Sequence, residues 1–131
     1  MQCYHFTVEG KIKGKDRPRF FRGHAYTPKE TKEYEKLVAS KYEGEKIKGQ
    51  VKVEITAHYK IPKSTTKKAL LEIKNGKLPQ VKPDIDNILK IVLDSLNGVA
   101  YEDDKQVTSI TANKCYAIDG NERIEVTVSG V

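Results

Sequence analysis

Lys82-Pro83-Asp84-Ile85-Asp86-Asn87-Ile88-Leu89-Lys90-Ile91-Val92-Leu93-Asp94-Ser95-Leu96-Asn97-Gly98 carries the strongest pattern in the chain. Ile85, Ile88, Leu89, Val92, Leu93 and Leu96 fall at offsets 0, 3, 4, 7, 8 and 11, which predicts an α-helix with one apolar stripe. Asp86, Lys90, Asp94 and Asn97 mark its other side. Pro83 disfavours helix at Lys82, Asp84 is placed to cap, and Asn97-Gly98 supplies a left-handed terminator. The helix therefore starts at its carboxylates.

A stripe of this kind needs a partner surface, and the flanking sequence supplies strands. Cys3 to Glu9 alternates, and Val51, Val53, Ile55, Ala57 and Tyr59 alternate with Lys52, Glu54, Thr56, His58 and Lys60, the period of strands with one wetted face. Ile110, Ala112, Tyr116 and Ile118 predict a further strand. Asp119-Gly120 then predicts a hairpin turn into an antiparallel strand through Ile124, Val126 and Val128. Thr27-Pro28 opens a helix to about Tyr42, with Thr27 as cap and Glu30 in its first turn, and Ser64 or Thr65 starts a shorter helix ending near Asn75-Gly76. The expected fold class is α+β: one compact domain over residues 1–131, with a mixed or mainly antiparallel sheet packed against about three helices.

A chain of 131 residues with 37% hydrophobic content supports one core rather than two. Its apolar runs are short, and Met1-Gln2-Cys3-Tyr4-His5 lacks the pattern of a secretory signal, so a cytoplasmic location with no membrane span is expected. Cys3 and Cys115 lack C-x-x-C spacing and read as two buried free thiols, and zinc is not expected. His5, His24 and His58 are widely separated and read as ordinary surface or core histidines.

Charge is unevenly divided: residues 1–82 balance at +11 and residues 83–131 at −5, within a net +6. Such a surface attracts a polyanion, and an acidic centre within it suits a metal held by carboxylates. Asp84 and Asp86 stand two residues apart at a helix start; for Asp84 alone, capping is the plainer reading. Asp103 and Asp104 alter that balance. From Asn97 to Asp104 the chain extends roughly 25 Å at about 3.3–3.6 Å per residue, while the helix from Asp86 to Asn97 rises only about 16–17 Å. The loop is long enough to return Asp104 to the helix start, so three carboxylates are able to converge. Lys90, one turn after Asp86, reads locally as an i,i+4 ion pair; beside a metal and a phosphodiester it would orient the attacking water or stabilise charge on phosphate oxygens. Asp94, two turns from Asp86, suits a structural hydrogen bond.

Lys11, Lys13, Lys15, Arg17 and Arg19 occupy every second position, with Arg22 shortly after. An extended segment would line five cations along one face, able to follow a phosphate backbone; an edge strand guarded by lysines gives the same pattern. Phe20, Phe21, Tyr26 and Tyr34 are candidates for stacking on bases.

The stretch Lys82-Pro83-Asp84-x-Asp86-Asn87-x-x-Lys90-x-x-x-Asp94-x-Leu96-x-Gly98, followed by Asp103-Asp104-x-Gln106-Val107, resembles the signature of RusA-type Holliday junction resolvases. Looser similarity extends to Gly14-Lys15-Asp16-Arg17-Pro18-Arg19 and Tyr26-Thr27-Pro28, where Asp16 interrupts an otherwise basic segment. The resemblance implies a homodimeric, magnesium-dependent endonuclease, with Mn²⁺ as a substitute, that binds branched DNA, especially four-way junctions, and makes paired symmetric nicks. By motif match, Asp84, Asp86 and Asp104 are the metal-binding and catalytic acids, Lys90 the functional lysine, and Asp103 a further candidate ligand. Lys11, Lys13, Lys15, Arg17, Arg19, Arg22 and Lys82 are the candidate DNA contacts. Two other functions fit the same residues less fully: a noncatalytic junction- or nucleic-acid-binding protein, and a Mg-dependent nucleotide pyrophosphohydrolase, which would leave the basic row idle.

Overall fold

The computed structural model describes residues 2–15 and 19–131. Its elements run β1 (Cys3–Glu9), β2 (Arg19–Phe21), β3 (His24–Tyr26), α1 (Lys29–Lys41), β4 (Val51–Lys60), α2 (Lys67–Lys74), α3 (Ile85–Leu96), a 3₁₀ turn (Asp104–Gln106), β5 (Val107–Ala117) and β6 (Arg123–Gly130). β1, β4, β5 and β6 form one sheet in the order β1-β6-β4-β5, so the fold is α+β with a mixed sheet.

The alternation read from sequence sets the two faces of this sheet. Val51, Val53, Ile55, Ala57 and Tyr59 of β4, Ile124, Val126 and Val128 of β6, and Phe6 and Val8 of β1 are buried on one side. Tyr34 and Val38 of α1 and the stripe of α3 cover them in the same core. Tyr34 is therefore a core residue, not a stacking platform. α2 buries no side chain, which leaves α1 and α3 as the covering helices.

The hairpin expectation is corrected by the sheet order. β4 pairs with β6 antiparallel and with β5 parallel; His58, for example, has Arg123 on one side and Cys115 on the other. β5 and β6 run in opposite directions, but β4 separates them. The Asp119-Gly120 turn forms, with Asp119 Oδ1 accepting from the Asn121 amide and from Arg123, yet it steps over an intervening strand. Local turn chemistry reports the reversal and not which strand fills the gap. The parallel β4–β5 pair needs a long crossover, and α2 and α3 provide it.

The buried arc of α3 is also turned from the expected one. Ile88, Ile91, Val92, Ser95 and Leu96 are buried, Leu89 and Leu93 lie at its margin, and Ile85 is exposed. Packing against α1 as well as the sheet draws Ile91 inward, and the buried Ser95 hydroxyl donates to the Ile91 carbonyl. Complete burial of a side chain such as Ile91 is worth about 1.5–3 kcal/mol. Helix starts differ slightly from expectation: Pro28 rather than Thr27 holds the α1 cap position, and Thr66 caps α2 by accepting from the Ala69 amide. Cys3 is exposed and Cys115 half-buried; both are free thiols, so neither is the buried cysteine expected.

Residues 19–26 form an element not foreseen. β2 and β3 pair through a two-residue turn in which Arg22 and Gly23 have φ of 51° and 78°, the left-handed turn that matches strand twist.

Candidate active site

Asp84 occupies the α3 cap position, but its side chain makes no cap hydrogen bond. Its carbonyl accepts from the Asn87 and Ile88 amides, the third and fourth of the helix. The Asp84 carboxylate is thus not consumed by the helix. Tyr59 holds this end of α3 to the sheet by donating to the Pro83 carbonyl at 3.2 Å. Burial, with the nearby Glu122 and Asp84 charges adding to it, pushes the Tyr59 hydroxyl up to about 12, so it stays a donor.

Asp86 and Lys90 are both exposed on the polar side of α3, and among the described residues no ion pair joins them. The plain i,i+4 pair is not formed. Asp94 continues the stripe and is held by Lys15, whose ammonium lies 3.3 Å from Asp94 Oδ2 and 3.1 Å from Glu35 Oε2. Burial pulls Lys15 downward, but the hydrogen bonds and charges of Glu35 and Asp94 outweigh it and leave the group above its ordinary value.

The expected row of five aligned cations is corrected accordingly. Lys11 and Lys13 are exposed, with Ile12 buried between them. Lys15 turns inward to bridge α1 and α3, because two carboxylates meet it there. Arg17 lies outside the described residues, while Arg19 and Arg22 belong to the β2–β3 ribbon. Gly14 explains how the segment crosses α3: a Cβ there would stand 2.8 Å from Pro83 Cβ and 2.9 Å from Asn87 Cβ, and the Lys15 amide donates to the Asn87 carbonyl at 2.9 Å. The result is an open hollow of about 600 Å³ lined by Lys11, Lys13, Lys15, Lys82, Asp84 and Asn87, among others.

Asp103 and Asp104 lie at the other end of α3. Asp103 caps the 3₁₀ turn, accepting from the Lys105 amide at 2.9 Å, and this amide bond holds its carboxyl below the usual range. Asp104 is raised by desolvation, then by its hydrogen bond with Asp103 and the charges of Asp103 and Asp94, against a lowering hydrogen bond from Asn97. Tyr101, buried below them and donating to the Leu93 carbonyl, is raised by burial first and then by Asp104, Asp94 and Asp103.

Gln106 holds this corner in place. Its Oε1 accepts from the Glu102 and Asp103 amides, and its Nε2 donates to the Ile47 and Gly49 carbonyls. Sequence reasoning quoted Gln106 within the motif without a role; the capping-box spacing Asp103-x-x-Gln106 is the signal that would have found it. Lys15 as a positioning residue left no such signal, since its partners lie 20 and 79 positions away.

The structure thus brings Asp104 to the Asp94–Asn97 end of the polar stripe and leaves Asp84 and Asp86 at its start, about 12 Å of helix rise from Asp86 to Asp94. Among the described residues, no three His, Cys, Asp or Glu side chains stand together as a metal cluster. In donor type the acids fit a hard divalent cation, being carboxylate oxygens only. The charge of Asp103 raises Asp104 beside it, a repulsion between neighbouring carboxylates that a cation would relieve.

Comparison with known proteins bears on this arrangement. The model of the family described as Endodeoxyribonuclease RusA matches residues 9–129. A Bacillus subtilis (strain 168) protein, the uncharacterized protein YqaN, is 35% identical over 142 aligned residues that cover 100% of this chain and 99% of that protein. The matched span takes in β2 to β5, β6 up to Ser129, all three helices and every acid of the polar stripe, leaving out all of β1 but Glu9: the chain belongs to the RusA endodeoxyribonuclease family.

Proposed function

We propose that this chain is a magnesium-dependent endonuclease that hydrolyses phosphodiesters in four-way DNA junctions, cutting two opposed strands symmetrically. One observation carries the reading: Lys11, Lys13, Lys15 and Lys82, four of the expected DNA contacts, line the same hollow as Asp84. A basic wall around a carboxylate suits a phosphate that must be drawn to a cation.

Asp84 and Asp86 at the start of α3, and Asp104 with Asp103 beside it near Asp94 and Asn97, would supply the carboxylates for one or two Mg²⁺ ions, which would have to draw the two ends of the polar stripe together or divide between them. Bound there, Mg²⁺ would supply Lewis acidity and an activated water. The chain's own residues do the rest. Lys90, exposed one turn after Asp86, faces charge developing on phosphate oxygens. Lys15 holds Asp94 and fixes the N-terminal segment across α3. Gln106 anchors the turn that carries Asp103 and Asp104. Mn²⁺ should replace Mg²⁺, while Ca²⁺ should bind without efficient turnover.

A homodimer fits a substrate of approximate two-fold symmetry that needs two cuts. β5 is an edge of the sheet, and Val107–Asn113 within it has no charged residue. Natural edges are commonly guarded by charge, so an unguarded one suits pairing with a second copy.

The test is cleavage of a synthetic mobile four-way junction with and without Mg²⁺, with both cut positions mapped. Paired symmetric nicks that require the metal are expected. A junction bound but left intact would favour the noncatalytic reading, and pyrophosphate release from nucleoside triphosphates the pyrophosphohydrolase.

A further inference from the structure

β2 and β3 make a two-stranded ribbon in which every residue is exposed. Cross-strand partners share a face, so Arg19, Phe21, His24 and Tyr26 lie on one side and Phe20 with Ala25 on the other. Phe20 is 75% exposed, Phe21 65% and Tyr26 45%. An ordinary strand pair buries one apolar face against its own domain, and an isolated hairpin is marginal in water. This one carries aromatic rings on both faces and packs neither away. Arg22 extends over the Phe21 ring at 5.3 Å, and Phe21, Arg22, His24 and Tyr26 line a shared shallow hollow.

Charge decides what covers these rings. Between Asp16 and Glu30 the sequence has no acidic residue but contains Arg17, Arg19, Arg22 and Lys29. Docking two copies of the ribbon would press like charges together with no local carboxylate to offset them. A partner with flat apolar surfaces and closely spaced negative charges meets both features, and nucleic-acid bases linked by phosphates are such a partner. The ribbon is also rooted at the site: Lys15 before it and Glu30 after it both line the hollow that holds Asp84. Phe20 lies five positions after Lys15, a reach of at most roughly 18 Å.

We infer that the ribbon is a stacking platform for bases that have left the duplex, Phe20, Phe21 and Tyr26 meeting the base faces while Arg19 and Arg22 neutralise the adjoining phosphates. Its ligand is unpaired DNA, which a branch point exposes and an intact duplex does not. This deepens the junction-nuclease reading and rests on it for the source of the unpaired bases.

The experiment measures binding without divalent metal, in EDTA, so cleavage plays no part. Fluorescence anisotropy gives Kd for a single-stranded oligonucleotide, a four-way junction and a blunt duplex. F20A/F21A should weaken binding to single strands and junctions about 10- to 100-fold and to the blunt duplex less than about two-fold. Both side chains are exposed, and I118S, which alters the 79% exposed Ile118 elsewhere, should leave all three constants unchanged. The protein has no tryptophan, so F20W provides a lone reporter whose emission should be quenched by single-stranded DNA and not by duplex. Equal losses on all three ligands, or unchanged binding in F20A/F21A, would overturn the platform. So would tryptophan emission in F20W that follows protein concentration and ignores DNA, since the ribbon would then contact a second copy. Selective loss in F20A/F21A, in a protein that never cuts junctions with Mg²⁺, would uphold the platform and remove the nuclease reading alone.

Discussion

The Lys15 ammonium lies 3.3 Å from Asp94 Oδ2 and so ties the N-terminal basic segment to the helix that carries the acids. The same ammonium holds Glu35 of α1 at 3.1 Å, which makes it a charged link between three separate parts of the chain. Lys15→Met should lower stability by about 1–2 kcal/mol, above an exposed ion pair because two partners share a partly buried cation. Urea unfolding checks the loss, and a cost below about 0.3 kcal/mol would dismiss the link as incidental.

That link has a pH signature. The folded value of Lys15 is raised above 10.5, so its contribution is fully present below that ordinary value and is lost as pH rises through the folded one. The stability gap between wild type and Lys15→Met should be flat from pH 7 to about 10 and close at higher pH. A gap that widened there would have the wrong sign.

Gly14 should tolerate no side chain. Gly14→Ala brings a methyl within 2.8 Å of Pro83 Cβ and 2.9 Å of Asn87 Cβ, short stiff positions at the start of α3. A cost of about 1–3 kcal/mol is expected for forcing that contact, with slower junction cleavage because Asp84 and Asp86 ride on the displaced turn. Thermal unfolding and a cleavage time course measure the two effects, and an unperturbed melting temperature would deny the close crossing.

Among the acids, Asp86→Asn and Asp104→Asn should each abolish nicking while junction affinity stays within a few-fold of wild type. Lys90→Ala should slow cleavage by roughly 10²-fold, the scale of losing one transition-state charge partner. Gel-shift and single-turnover assays separate the two quantities. A Lys90→Ala protein that cuts normally but binds poorly would make Lys90 a DNA contact only.

Gln106→Ala removes acceptors for the Glu102 and Asp103 amides and donors to Ile47 and Gly49. Loss of this clamp should cost about 1–3 kcal/mol and raise the Mg²⁺ concentration needed for half-maximal cleavage. Gln106→Glu should retain the acceptor half and recover part of the stability, since Oε1 alone serves the two amides. Equal loss in both variants would trace the stability to the Ile47 and Gly49 contacts.

The amino-acid sequence by itself determined the local elements and the chemistry they carry. Alternation from Val51 to Lys60 was enough for a one-sided strand, because side chains on a pleated strand change face at every residue. The apolar spacing after Asp84, closed by Asn97-Gly98, was enough for α3 with acids at its start. Only the tertiary structure decided that β4 enters between β5 and β6, that α1 draws Ile91 into the core and leaves Ile85 outside, and that Lys15 leaves the basic row for Glu35 and Asp94. It likewise set Asp104 against Asn97 and Asp94. Periodicity reports a residue's orientation within its own element through short-range geometry. Which elements become neighbours depends on burying the whole apolar surface at once, and on charges far apart in sequence finding one another across the fold.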